Sequence, residues 1–178
     1  MPDTTHLPEP WLRGTLADVP ATQRAVLHAL QGADEDLARW CGELTDAELH
    51  DRPAGLASVA FHLHHIAGST DRLLTYAEGG ELSPAQLAEM KAEGTATGTV
   101  HESLHRLNQA LQSASERVHR FTEAELNQPR GVGRKQLPTS VGGLLIHVAD
   151  HTQRHVGQAI TTAKLLVANR TAQTETRD

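Results

Sequence analysis

Aromatic residues are scarce in this chain of 178 residues: two Trp, two Phe and one Tyr, 3% in all. A core built on stacked rings is excluded, which leaves Leu, Ala, Val and His to fill the interior. Cysteine is scarcer still. The single Cys41 rules out an intramolecular disulfide and a cysteine-based zinc cluster. Positive charge is in deficit, with 16 Lys and Arg against 22 Asp and Glu, a net charge of −6 and a pI near 6.0. No basic cluster stands out, so the electrostatic footprint of a nucleic-acid surface is missing, as is any pull toward anionic membranes. No run of eighteen apolar residues exists, so no membrane span is expected. The first ten residues are polar and proline-rich, without the basic-then-apolar pattern of a secretion signal. A cytoplasmic protein with neither nucleic-acid nor membrane partners is expected. Strand-like alternation is also absent.

What is present is helical periodicity. Val26, Leu27, Leu30, Leu37, Trp40 and Cys41 recur at mostly helical spacing over residues 20–43, with Gly32 a soft spot inside that first helix. Thr45-Asp-Ala-Glu48 is a capping-box signature for a short turn that Pro53 ends. Ser58 opens a second long helix that Gly79-Gly80 stops near residue 78. Ser83-Pro84 starts a short helix to about Glu93, and residues 94–98 read as a flexible linker. The third long helix covers about 99–121, with Leu104, Leu107, Leu111 and Val118 on one stripe; residues 127–138 read as a loop. The fourth runs from Thr139 or Ser140 to about Asn169. The fold class implied is all-α: a four-helix bundle with a short extra helix in the long connection between its second and third members. The expected organisation is an extended arm at 1–14, one domain at 15–170 and a tail at 171–178.

Histidine is abundant, with twelve in the chain. Ser58-Val-Ala-Phe-His-Leu-His-His65-Ile-Ala lines up with Ser140-Val-Gly-Gly-Leu-Leu-Ile-His147-Val-Ala at an offset of 82 residues, which suggests that the second and fourth helices are related by a pseudo-twofold. His147, His151 and His155 are spaced i, i+4, i+8. Each step drifts by about 40°, so the stripe is expected to face the bundle interior beside Leu144, Val148 and Ala159. Two histidines four apart can bind one ion from a single helix. Imidazoles in an interior need partners for their ring nitrogens, and either a metal or mutual hydrogen bonding supplies them. On the second helix His62 and His65 share a face and His64 is expected to point outward. One ligand from the second helix with His151 and His155 gives three imidazoles and an open position, suited to zinc, nickel or a similar divalent ion. His65 is favoured for the first place, with His62 as competitor and His147 as a possible substitute. His6, His28, His50, His101, His105 and His119 are expected to be solvated or at the rim, the 101/105 pair showing that this spacing is not diagnostic alone.

The stretch from Ser58 to Tyr76 resembles the second helix of the DinB/YfiT-like superfamily, and His147-Val-Ala-Asp-His-Thr-Gln-Arg-His-Val-Gly-Gln158 resembles its fourth-helix signature. The likeness covers roughly residues 20–167. It implies a four-helix bundle with a long crossover, often dimeric, and a divalent metal held by His65, His151 and His155. Val156 stands where the family usually has Arg, which leaves the ligand pattern intact.

The resemblance also implies a function: a metal-dependent transferase that joins a low-molecular-weight thiol such as bacillithiol to a small electrophile, the metal lowering the thiol's pKa. Cys41 is then not the nucleophile but a small buried residue near Trp40. Asp71, Arg72, Tyr76 and the positive loop from Arg130 to Lys135 are candidates for holding a carboxylated thiol, or else surface pairs. Two alternatives stand beside this reading. One is metal-assisted hydrolysis, for which Thr152 replaces the general base that a zincin carries after its first histidine. The other is a non-enzymatic metal-binding protein induced by stress or damage.

Overall fold

The structure is a computed structural model that describes residues 7–175. Residues 1–6 of the expected arm and 176–178 of the expected tail lie outside the described residues. In chain order the helices are α1 (Ala21–Cys41), α2 (Asp46–His50), α3 (Val59–Ala77), α4 (Pro84–Ala92), α5 (Val100–Val118) and α6 (Val141–Glu175). The bundle is made by α1, α3, α5 and α6. α6 packs against α1 and α3, and α5 packs against the same two, so α1 and α3 face each other across one diagonal.

Local chemistry sets where each helix begins. Ser58 accepts a hydrogen bond from the Phe61 amide and so starts α3. α2 and α4 are far too short to persist alone, and each opens on a reciprocal capping box, Thr45 with Glu48 and Ser83 with Gln86. A third box, Thr99 with Glu102, starts α5. Gly32 does not break α1. Pro10 is buried against it, 3.8 Å from where a Cβ would stand.

The interior is aliphatic, as the scarcity of rings requires. Leu30, Leu37, Leu49, Leu63, Ile66, Leu74, Leu107 and Leu145 are among its largest fully buried side chains. α6 extends to Glu175, beyond the expected end at Asn169, and α5 ends at Val118, short of Phe121.

The expectation that the chain holds no strand is corrected. β1 (Pro129–Val132) and β2 (Leu137–Ser140) form a small antiparallel hairpin in the segment read as a loop. Four-residue strands with a proline in each are too short and too irregular to show alternation. The reversal uses Gly133 and Gln136 at φ +68° and +48°. The hairpin is anchored where α3 ends, because Arg130 Nε donates to the Ala77 carbonyl at 2.7 Å.

The phase of α6 generates a test. Leu145 is fully buried and its neighbour Ile146 is 59% exposed. Leu145→Ala is expected to lose about 2–5 kcal/mol in urea unfolding, and Ile146→Ala less than about 0.5 kcal/mol. Equal losses would mean that α6 is rotated from the phase described.

Candidate metal centre

α3 and α6 carry the histidines that the bundle brings together. Counting from its cap, α3 places His62 and His65 three residues apart on the side that meets α6. α6 answers with His151 and His155, four apart. His65 Nε2 lies 2.9 Å from His151 Nε2. The His65 and His155 rings are 4.4 Å apart between centroids, and those of His151 and His155 are 4.6 Å apart. Each of the three half-buried residues offers one nitrogen, and the three nitrogens all lie within 4.8 Å of one another.

The next layer fixes these rings. His65 Nδ1 is 2.7 Å from Glu93 Oε2, delivered by a 3-10 turn (Glu93–Thr95) in the long α3–α5 connection. The other Glu93 oxygen sits 2.7 Å from Arg72 Nη1, a close ion pair off the ideal hydrogen-bond line, and both side chains are 9% exposed. His62 is buried and its Nδ1 lies 3.0 Å from His155 Nδ1, so it faces a triad member rather than joining the triad. Phe61 stacks on the His65 ring at 5.3 Å with a 15° interplanar angle.

Several expectations change. His147 does not face the interior: it is exposed, its ring 5.4 Å from His151 and its Nδ1 3.9 Å from Asp150. The accumulated drift along the stripe carries it to the rim. His28 is buried rather than solvated, with Nε2 3.1 Å from Thr15 Oγ1. His64 is half-buried beside Glu93, Gly68 and Arg106 rather than pointing outward. His101 and His105 are exposed and stack on each other at 6.2 Å, away from the cluster, as expected. Arg72 and Arg154 match in the internal repeat but differ in role: Arg72 is buried with Glu93, whereas Arg154 is exposed and bonds Asp150 at 2.6 Å. Asp71 bonds Arg117 and Gln86, and Arg130 caps α3, so both are engaged in structure. Cys41 is fully buried and burial pushes its thiol up to about 12, which makes it inert. Glu93 is not singled out by the sequence; it falls at the expected end of the short helix, just before the linker.

Burial, reinforced by neighbouring imidazoles, drives His151 and His62 down to about 4 and lowers His155 for the same reason. These rings are therefore neutral at pH 7, the form that ligates a metal. Nitrogens bound to zinc at about 2.0–2.1 Å in a tetrahedron lie ~3.3 Å from one another. A donor set of three imidazoles, with one Nε2–Nε2 distance already at 2.9 Å, fits a divalent ion after small ring adjustments.

Comparison with known proteins bears on the fold and the family. Among curated proteins none matches the chain. The fold is similar to that in the crystal structure of a conserved protein from Enterococcus faecalis, with a TM-score of 0.69 at 18% identity over 83% of this chain and 98% of that one. No helix among the described residues is long and apolar enough to cross a membrane. The family model of the DinB superfamily matches residues 22–159, and with that span covered the chain belongs to the DinB superfamily.

Proposed function

We propose that the protein is a metal-dependent transferase: His65, His151 and His155 hold a divalent ion, zinc or nickel, and a low-molecular-weight thiol such as bacillithiol attacks a small electrophile beside it. The observation that carries this reading is the convergence of three imidazoles from two helices, with the neighbouring carboxylates Glu93 and Asp150 both paired. Glu93 is engaged through both oxygens and Asp150 pairs with Arg154. Thr152, which follows His151, is buried and carries no carboxylate. With these two carboxylates paired, a nucleophile that ionises easily by itself, a thiol, suits the site better than carboxylate-assisted hydrolysis does. A divalent ion with an open position supplies a Lewis acid that lowers the pKa of such a thiol.

The chain's own residues do the rest. Phe61 screens one face of His65 from water. A groove of about 410 Å³ beside His62, lined also by Leu56, Arg154, Gly157 and Gln158, has the size of a small-molecule site. Gly157 has open space where a Cβ would stand, so the groove is unobstructed there. The same reading places the protein in the cytoplasm, where small thiols stay reduced, and as a homodimer, which sedimentation velocity checks directly.

Elemental analysis of the purified protein is expected to find about one divalent ion per chain, and none in the His151→Ala/His155→Ala double variant. His65→Ala is expected to lose the ion as well, whereas His147→Ala keeps it. An ion retained in His65→Ala would transfer the first ligand position to His62. Loaded protein should consume a test electrophile only when thiol is added; turnover without thiol would instead establish a hydrolase. Gly157→Phe should raise KM for the electrophile several-fold with metal content unchanged, and an unaltered KM would remove the groove from the site.

Acid provides a second check. Because the folded-state pKa values of His62 and His151 lie near 4, below the ordinary 6.5, the unfolded chain takes up protons first as the pH falls. The metal-free protein should keep its full stability above pH 6.5 and lose it progressively toward pH 4, read as a falling urea midpoint, and loaded protein should release its ion only as the pH falls toward 4, where the folded-state His151 ring takes up its proton. A midpoint flat across this window would show that the cluster is not held neutral.

A further inference from the structure

The α3–α5 connection sends one acid into the histidine cluster, and the way it is held defines its task. We propose that Glu93 is a positioning residue that keeps His65 as its Nδ1–H tautomer, so that Nε2 faces the triad with its lone pair free. A carboxylate only accepts hydrogen bonds, so the nitrogen 2.7 Å from Oε2 must be the one that carries the proton. Arg72 only donates, and it holds the opposite oxygen at 2.7 Å. Glu93 therefore cannot turn away from either partner without leaving a buried charge unpaired.

Gly68 is part of the same device. It lies one helical turn before Arg72 on α3, directly beneath the ion pair. A Cβ there would stand 2.7 Å from Arg72 Nη1 and 2.8 Å from Glu93 Oε1. The backbone thus makes room for a charge pair whose outward-facing product is the tautomer of one ring. With Nδ1 protonated, His65 Nε2 accepts from His151 Nε2 across 2.9 Å in the metal-free chain. The same lone pair is the one a metal needs. The consequence for metal affinity rests on reading the triad as a metal centre; the tautomer does not.

Glu93→Gln separates this role from a merely structural one. Arg72 still requires an acceptor, so the amide oxygen faces Arg72 and the NH2 faces His65 Nδ1. The ring is then forced to the Nε2–H form. Long-range ¹H–¹⁵N correlation spectra of the metal-free full chain at pH 8 report the protonated nitrogen. The expected result is Nδ1–H in the parent and Nε2–H in Glu93→Gln, with zinc, titrated against a chromophoric chelator, binding about 10- to 100-fold more weakly in the variant. Gly68→Ala, which pushes the ion pair off its seat, should lose the single tautomer and weaken zinc binding in the same direction. A parent ring protonated at Nε2 would overturn the proposal, as would both variants retaining Nδ1–H and parental zinc affinity. If the tautomer switches while neither parent nor variant takes up zinc, the positioning role stands and the metal-centre reading falls.

Discussion

Rings half-removed from water must find partners for two nitrogens each, and in this bundle that requirement governs how α3, α6 and the connection leading out of α3 meet. His65 reaches Glu93 on one side and His151 on the other, while His155 turns to His62. The contacts span 28, 86 and 93 residues of sequence. None is available to an isolated helix. The aliphatic seam formed by residues such as Leu63, Ile66, Leu145 and Val148 supplies the adhesion, since apolar burial contributes about 25 cal/mol per Å². The polar contacts decide register, because a shift of one turn along the seam would leave buried nitrogens unpaired.

The charges around the cluster are arranged with the same economy. Arg72 and Arg154 occupy equivalent places in the internal repeat, yet only the α3 copy is buried with an acid. The reason is the crossover. α4 and the 3-10 turn beyond it lie over α3 and bring Glu93 to Arg72, whereas α6 meets α2 and Pro53–Gly55 instead and Arg154 stays exposed. A pseudo-symmetric pair of helices becomes an asymmetric site because one of them receives Glu93. The surface pairs, such as Arg154 with Asp150, remain solvent-screened and contribute little to stability; the buried pair orients a ring instead.

Much of this was legible in the sequence. The four long helices, the two short ones and their caps follow from apolar spacing and from Ser and Thr at helix starts. The triad followed from two motifs whose spacing puts histidines on one helix face. What could not be read depended on tertiary context. The phase of α6 exposes His147 although its spacing equals that of its neighbours, since only packing says where an apolar stripe ends. His28 was expected at the surface because nothing local shows that residues near Thr15 fold back over α1. The hairpin was missed because two prolines and a positive-φ turn in twelve residues leave no alternation to see. Glu93 carried no pattern at all: an acid at the end of a short helix, just before a glycine, is ordinary until the chain closes over α3.

The cluster also sets a thermodynamic direction for the fold. Holding His62 and His151 near pKa 4 means that the protein keeps basic groups neutral against their preference for water. The expense is borne by the folded state, and anything that binds those nitrogens only when they converge returns stability in proportion to its affinity. The unfolded chain offers the two histidines of α6 but neither His65 nor the carboxylate that aims it. Selectivity for the folded state therefore comes from the α3 half of the site, which is the half that Gly68, Arg72 and Glu93 build. Loss of that half would leave a pair of histidines on one helix, as His101 and His105 are on α5, stacked at the surface with no ion implied.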